Sequence, residues 1–328
     1  MNNWMKRILL GMALSAVGNL YAEVEPTFIT IASGRVHGNY YKAAQAICDR
    51  VNLRQEEHGI RCSVAYSDGS IANLTSIRAG EYELGIVQSD SQYYAVHGSG
   101  PFAGRTPFKE LRSLMSLFPE AFTIIAHPDK AIRTMQDLRG KRVDMGNPGS
   151  GSRTVAEMIM LASGMQIKDF SEVVSLNILE QIAAFCENRL DALMMTVGHP
   201  DLMIKEYLRH CSAMIVAPEK EVVEKVVKQY SFFSSTLIPG GIYEGNPEPL
   251  TTIGVRATLV ASSQLPDQVA YELVKSVFSD IEAFNRADPV LFNLNSREMV
   301  REALTAPIHE GAKAYYLESG LLDDKMLD

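Results

Sequence analysis

The sequence predicts an α/β fold of two lobes joined by crossing strands. Three observations carry this expectation. Short apolar and β-branched runs alternate with segments of helical period at the start, the signature of a parallel sheet. A second unit of the same kind follows in the middle of the chain. No Ser/Gly-rich linker divides the two, so strands are expected to connect them.

Phe28 to Ala32 is the first strand, ended by Ser33-Gly34. A helix is expected from about Asn39, with Ala43, Ala44, Ile47 and Val51 on one face. Ile60 to Tyr66 is the next strand. After the turn Ser67-Asp68-Gly69, Ser70 is placed to cap a helix carrying Ile71, Leu74 and Ile77, which Gly80 ends. Leu84 to Val87 is then a buried strand closing a βαβαβ unit.

In the second unit Phe122 to Ala126 is a strand, Met135 to Leu138 a short helix and Arg142 to Met145 a strand. A tight loop, Asn147 to Ser152, precedes a helix with Val155, Met158, Ile159 and Ala162 facing inward. Ile178 to Cys186 is helical, and Ala192 to Thr196 is a strand. Thr251 to Ala261 is a β-branched strand. A long helix starts near Pro266 and runs through Val269, Leu273, Val277 and Ile281. The chain is expected to cross between lobes near Phe122 and near Thr251. That gives residues 1–22 as a leader, 23–121 plus 251–328 as one lobe and 122–250 as the other.

The leader has the layout of a signal peptide. Lys6 and Arg7 precede the mostly apolar stretch Ile8 to Leu20, and Tyr21-Ala22 ends on a small residue. The expectation is therefore a periplasmic protein with its mature start near Glu23, the alternative being an uncleaved membrane anchor. In an oxidising compartment, Cys48, Cys62, Cys186 and Cys211 are read as two local bridges, Cys48–Cys62 and Cys186–Cys211, or as four buried thiols. Local bridges would each tie a helix to a neighbouring strand. No C-x-x-C or other metal spacing occurs, and no cofactor is expected.

With 46% hydrophobic residues, the 328-residue chain can bury a core without a metal or disulfide staple. A formal net charge of -8 leaves no basic field for nucleic acid. Catalytic signals are thin: there is no G-x-S-x-G or H-E-x-x-H, and the seven His are scattered.

Two loops carry binding chemistry. Gly149-Ser150-Gly151-Ser152-Arg153 opens a helix straight after a strand. Unpaired N–H groups, the helix dipole, two hydroxyls and a guanidinium make it an anion cradle; as a plain N-cap loop it would need none of these. Ser152 stands where a P-loop needs Lys. Ser33-Gly34-Arg35-Val36-His37-Gly38-Asn39-Tyr40-Tyr41 is the same arrangement in the first unit. Gln88-Ser89-Asp90 ends a strand at its carboxyl end, where open α/β sheets bind ligands; Asp90 is equally placed to cap a helix.

These stretches resemble the TAXI solute receptors, the TRAP-associated extracytoplasmic immunogenic proteins. The resemblance is carried in order by Gly38-Asn39-Tyr40-Tyr41, Gly80 to Asp90, Leu117-Phe118-Pro119-Glu120, Leu138 to Val143, Gly149 to Arg153 and Ile238 to Tyr243. It implies a type II periplasmic-binding-protein fold with a ligand cleft between the lobes. It also implies delivery of the ligand to TRAP transporter membrane subunits driven by an ion gradient. Ligands of the glutamate and 2-oxoglutarate kind are implied. So are cleft residues Asn39, Tyr40 or Tyr41, Gln88, Ser89, Asp90, Ser150, Gly151, Ser152 and Arg153, beside Ser33 and Arg35 of the first loop. The chain departs from the family at Arg35, Val36, His37, Lys42 and Gly198-His199-Pro200, where the ligand is expected. The resulting expectation is a non-enzymatic receptor for a small anion, a mono- or dicarboxylate. Arg153 is one positive locus, and Arg35 with His37 is a second on the facing lobe unless Arg35 faces solvent; two loci would suit a ligand with two acidic ends. An exported hydrolase or lyase on the same fold, and a sensing module for a membrane partner, are the alternatives.

Overall fold

The computed structural model describes residues 26–323. The leader at 1–22 lies outside the described residues.

The opening is β1 (Thr27–Ala32), α1 (Asn39–Asn52), α2 (Gln55–His58), β2 (Ile60–Ala65), α3 (Ser70–Ala79), β3 (Leu84–Gln88) and α4 (Ser89–His97). β1 lies parallel to both β2 and β3, as the βαβαβ pattern requires. In α1 the face of Ala43, Ala44, Ile47 and Val51 is buried. Burying Ile47 and Val51 contributes about 1.5–3 kcal/mol each. α3 differs from expectation at its start. Gly69 at φ 109°, not Ser70, is its N-cap. The Ser70 hydroxyl instead accepts from the Gln88 N–H at 3.0 Å, tying α3 to the end of β3.

β4 (Leu111–Ala126) follows, then β5 (Arg142–Asp144), α5 (Gly151–Ala162), β6 (Glu172–Val174), α6 (Ile178–Cys186), β7 (Ala192–Val197) and α7 (Leu202–His210). β8 (Met214–Val216), α8 (Lys220–Gln229), β9 (Ser234–Ile238) and β10 (Leu250–Ser262) complete the second unit. The chain ends with α9 (Asp267–Phe278), α10 (Ile281–Asn285), α11 (Ser296–Met299) and α12 (Glu310–Glu318). The long helix read through Ile281 is thus two. Its second part starts afresh at Ile281, where the Asp280 side chain accepts from the Ala283 N–H.

The sheet order is β2-β1-β3-β10-β4-β7-β5-β6. β4 and β10 are antiparallel neighbours and the longest strands, and each serves two cores. On β4, Leu114 to Phe118 pack with Ile29, Ile47 and Val274, whereas Phe122 and Ile124 pack with Val155, Ile159 and Val216. On β10, Ile253 and Val255 belong to the second cluster and Ala257 and Leu259 to the first. The molecule is therefore a two-lobed type II periplasmic-binding-protein-like fold, its lobes joined by crossing strands.

The sequence expectation starts this strand at Phe122, just after Phe118-Pro119-Glu120. The strand begins at Leu111. Pro119 is tolerated because it faces Arg256, beside a register shift between Arg256 and Thr258 that interrupts the ladder.

Cys48 is bonded to Cys62, linking α1 to β2, and Cys186 to Cys211. The second bridge joins the end of α6 to the residue after α7, two helices rather than a helix and a strand. The bridges close loops of 14 and 25 residues, for which chain entropy gives about 3 kcal/mol or slightly more each. Denaturant unfolding should show a clear drop in midpoint on adding reductant, partly reproduced by Cys186→Ser with Cys211→Ser. An unchanged midpoint would mean that the bridges do not form in solution.

Candidate functional site

Between the lobes lies a cavity of about 320 Å³. One side is built by the β1–α1 loop, the first turn of α1, the start of α3, Gln88 and Glu120. The other is built by the loop before α5, together with α6, β7 and the start of α7. These are strand ends and helix starts because each βα connection of a parallel sheet emerges at the same edge.

The lobes are bonded across this cavity. The Asn39 side-chain amide donates to the Gly198 carbonyl at 2.8 Å. Arg35 donates to Asn147 Oδ1 at 3.3 Å, and the Ala72 N–H to the Gly149 carbonyl at 3.4 Å. Gly151 is the tightest approach: a Cβ there would lie 2.0 Å from Gln88 Oε1 and 2.9 Å from Ser70 Oγ. The arrangement is a closed cleft.

Of the residues expected at the site, Arg35, Asn39, Tyr40, Gln88, Ser150, Gly151 and Ser152 line the cavity. Ser33, Tyr41, Ser89, Asp90 and Arg153 do not. The Ser33 hydroxyl donates to the Ala65 carbonyl, holding β1 to β2. The Ser89 hydroxyl accepts from the Arg256 N–H. Asp90 is fully buried in the first turn of α4, and burial pushes its carboxyl up to about 7. Arg153 pairs with Glu157 one turn along its own helix, Nε to Oε1 at 2.6 Å.

The two serine hydroxyls of the cradle are also engaged. Ser150 donates to the Asn147 carbonyl and accepts from the Arg153 N–H, capping α5. Ser152 donates to the Thr196 carbonyl and accepts from its N–H, fastening α5 to β7. What α5 leaves for a ligand is backbone. α1 and α3, by contrast, have no side-chain cap; in α3 the Ala72 N–H is taken by the Gly149 carbonyl, which leaves the first-turn N–H groups of α1 as the freer set beside the cleft.

Sequence reasoning missed Glu120. It sits in the middle of β4, only 3% exposed, and lines the cavity. The Tyr40 hydroxyl donates to it at 2.8 Å. Burial pushes its carboxyl up to about 8, against the hydrogen bond from Tyr40, and the nearby Asp90 adds to the rise. The same burial, then the Glu120 charge, raises Tyr40. Burial thus favours the protonated form of Glu120. Gln88 Oε1 and Thr196 Oγ1, both on cavity-lining residues, are buried without a partner. His199 turns away from the cavity, with its ring nitrogens against Tyr243 Oη at 2.8 Å and Thr123 Oγ1 at 3.0 Å. Burial drives it down to about 4, so it is neutral.

Residues 31–320 match the model of the family described as NMT1-like. Among solved structures, the chain is similar to a protein assigned as an L-cystine ABC transporter from Listeria monocytogenes. They share 12% identity over 81% of this chain and 95% of that one, with a TM-score of 0.52. It is similar to a Xanthomonas citri protein bound to ATP, at 14% identity over 88% and 98%, TM-score 0.51. An ancestral arginine-binding protein bound to arginine gives 11% identity over 81% and 98%, TM-score 0.50. At such identities the likeness carries the fold.

Proposed function

The chain belongs to the NMT1-like family, and on that premise we propose that it is an extracytoplasmic solute receptor. It captures a small carboxylate between its lobes and presents the closed form to a membrane transporter. The observation that carries this reading is the cleft itself, a cavity lined by both lobes, which bond to each other across it. Ligand binding then stabilises the closed form by contacts to both lobes at once. The two disulfides fit an oxidising compartment, in line with the leader at 1–22. Lobe limits of 23–121 plus 251–328 and 122–250 belong to the same reading. The change of core between Phe118 and Phe122 on β4 supports the first limit, whereas on β10 the core changes between Val255 and Ala257, a few residues after 251.

A carboxylate head is supported by the uncapped start of α1, by Arg35, and by a Glu120 whose burial favours the protonated, donating form. The test is the pH dependence of binding. An anion beside Glu120 favours its protonated form, so the bound carboxyl titrates above its free value of about 8. Affinity for a carboxylate is then full below 8 and falls as pH rises through it. Glu120→Gln should flatten this slope, while Asp90→Asn controls for the buried neighbour. A ligand presenting an ammonium to Glu120 gives the opposite slope, with affinity rising through 8. Calorimetric titration on either side of that pH reads the sign, and turnover of the titrated carboxylate would favour the exported-enzyme alternative instead.

For the transporter, the ordered TAXI-like stretches support a TRAP-type partner. Uptake reconstituted with the membrane subunits should stop when the ion gradient is collapsed and persist without ATP. Dependence on ATP would assign the receptor to an ABC system.

A further inference from the structure

The second-lobe wall of the cavity is not built for a second acidic end. Ile178, Leu179 and Ile182 of α6, Met195 and Val197 of β7, and Met203 of α7 line it. All are apolar, and none of them is fully buried. Most polar side chains on the same wall are already engaged, the exception being the buried Thr196 hydroxyl. Gln181 accepts from the Tyr207 hydroxyl at 3.0 Å. Asp201 accepts from the Met203 and Ile204 N–H groups, capping α7. Ser152 is held by Thr196, and Arg153 is paired with Glu157 away from the cavity. Arg35 is the only Lys or Arg lining the cavity among the described residues. A dicarboxylate would therefore lay one charge on an apolar surface with no counter-charge, which is costly. Apolar side chains left part-exposed to a cavity gain by covering with apolar ligand surface. Two methionines among them fit a chain of variable shape, because the thioether side chain is unbranched and adaptable.

We infer that the ligand is an amphipathic monocarboxylate, its acid group at the start of α1 and Glu120 and its apolar chain along α6, β7 and Met203. The inference rests on the solute-receptor reading and narrows the ligand away from the glutamate and 2-oxoglutarate kind. Val36 and Leu179, both on the cavity lining and both well exposed, lie where such a chain reaches solvent.

The test is calorimetric titration of the purified full chain with two matched series: straight-chain monocarboxylates of increasing length and the dicarboxylates of equal length. The expected result is a gain of roughly fourfold in affinity per added methylene for the monocarboxylates, until the cavity is filled. Each dicarboxylate should be weaker than its monocarboxylate partner. Ile182→Asn and Met203→Gln should each reduce the gain per methylene. Tighter binding of dicarboxylates, or affinity independent of chain length, would overturn the apolar subsite while leaving a carboxylate receptor in place. Absence of binding in both series would overturn the carboxylate-receptor reading and this inference with it.

Discussion

Gly151→Val is expected to hold the cleft open and weaken ligand binding by roughly 5- to 150-fold. A Cβ at this position would stand 2.0 Å from Gln88 Oε1, 2.6 Å from its Cδ and 2.9 Å from Ser70 Oγ. Gln88 is 2% exposed and cannot swing into water, and the valine methyls demand still more room. Overpacking of this kind costs about 1–3 kcal/mol. The cost falls on the closed form alone, because opening separates α5 from α3 and Gln88. The apparent affinity drops by the fraction of competent protein that is lost. Thermal unfolding without ligand should stay near that of the parent, and small-angle scattering should report a more extended particle with ligand present. Gly151→Ala should fall between, since a single methyl can be met by rotation of the Gln88 amide. Full affinity in the valine variant would mean that the contact between Gly151 and Gln88 plays no part in binding.

Arg35→Ala is the second large effect, expected to weaken carboxylate binding by roughly 2–5 kcal/mol. Its guanidinium lines the cavity and reaches across the cleft to Asn147 Oδ1 at 3.3 Å. Arg35→Lys should recover part of the loss, because an ammonium keeps the charge but not the planar fork. Arg153→Ala is the contrast. Its pair with Glu157 is an (i, i+4) contact on one helix surface, worth about 0.3–0.5 kcal/mol, and it does not line the cavity. Calorimetry on the three variants separates the two arginines. Equal losses for Arg35→Ala and Arg153→Ala would return the anion site to the α5 loop.

The contrast between these arginines shows what the sequence made legible. Local patterns were readable: the buried stripe of α1, the Gly80 stop of α3 and the bounds of α6 all follow from spacing and end signals. The position of the α5 loop at the cleft was readable too, because a glycine-rich strand-to-helix turn lies at the ligand edge of such a sheet. What its side chains do there was not. Ser152 is consumed by Thr196, 44 residues on, and no local pattern announces that bond. Arg153 looked like a ligand cation because its competitor, Glu157, is an ordinary surface acid one turn away. Glu120 carries no motif. Its signal was a lone acid within the apolar run Phe118 to Phe122, a place where a charge is seldom buried without a function.

The most direct measurement is mass spectrometry of small molecules released when the purified chain, isolated without added ligand, is denatured. A closed-cleft receptor should release one carboxylate per chain, retained by Arg153→Ala and lost from Gly151→Val. Release of no small molecule, together with no saturable binding of any mono- or dicarboxylate offered in titration, would contradict it.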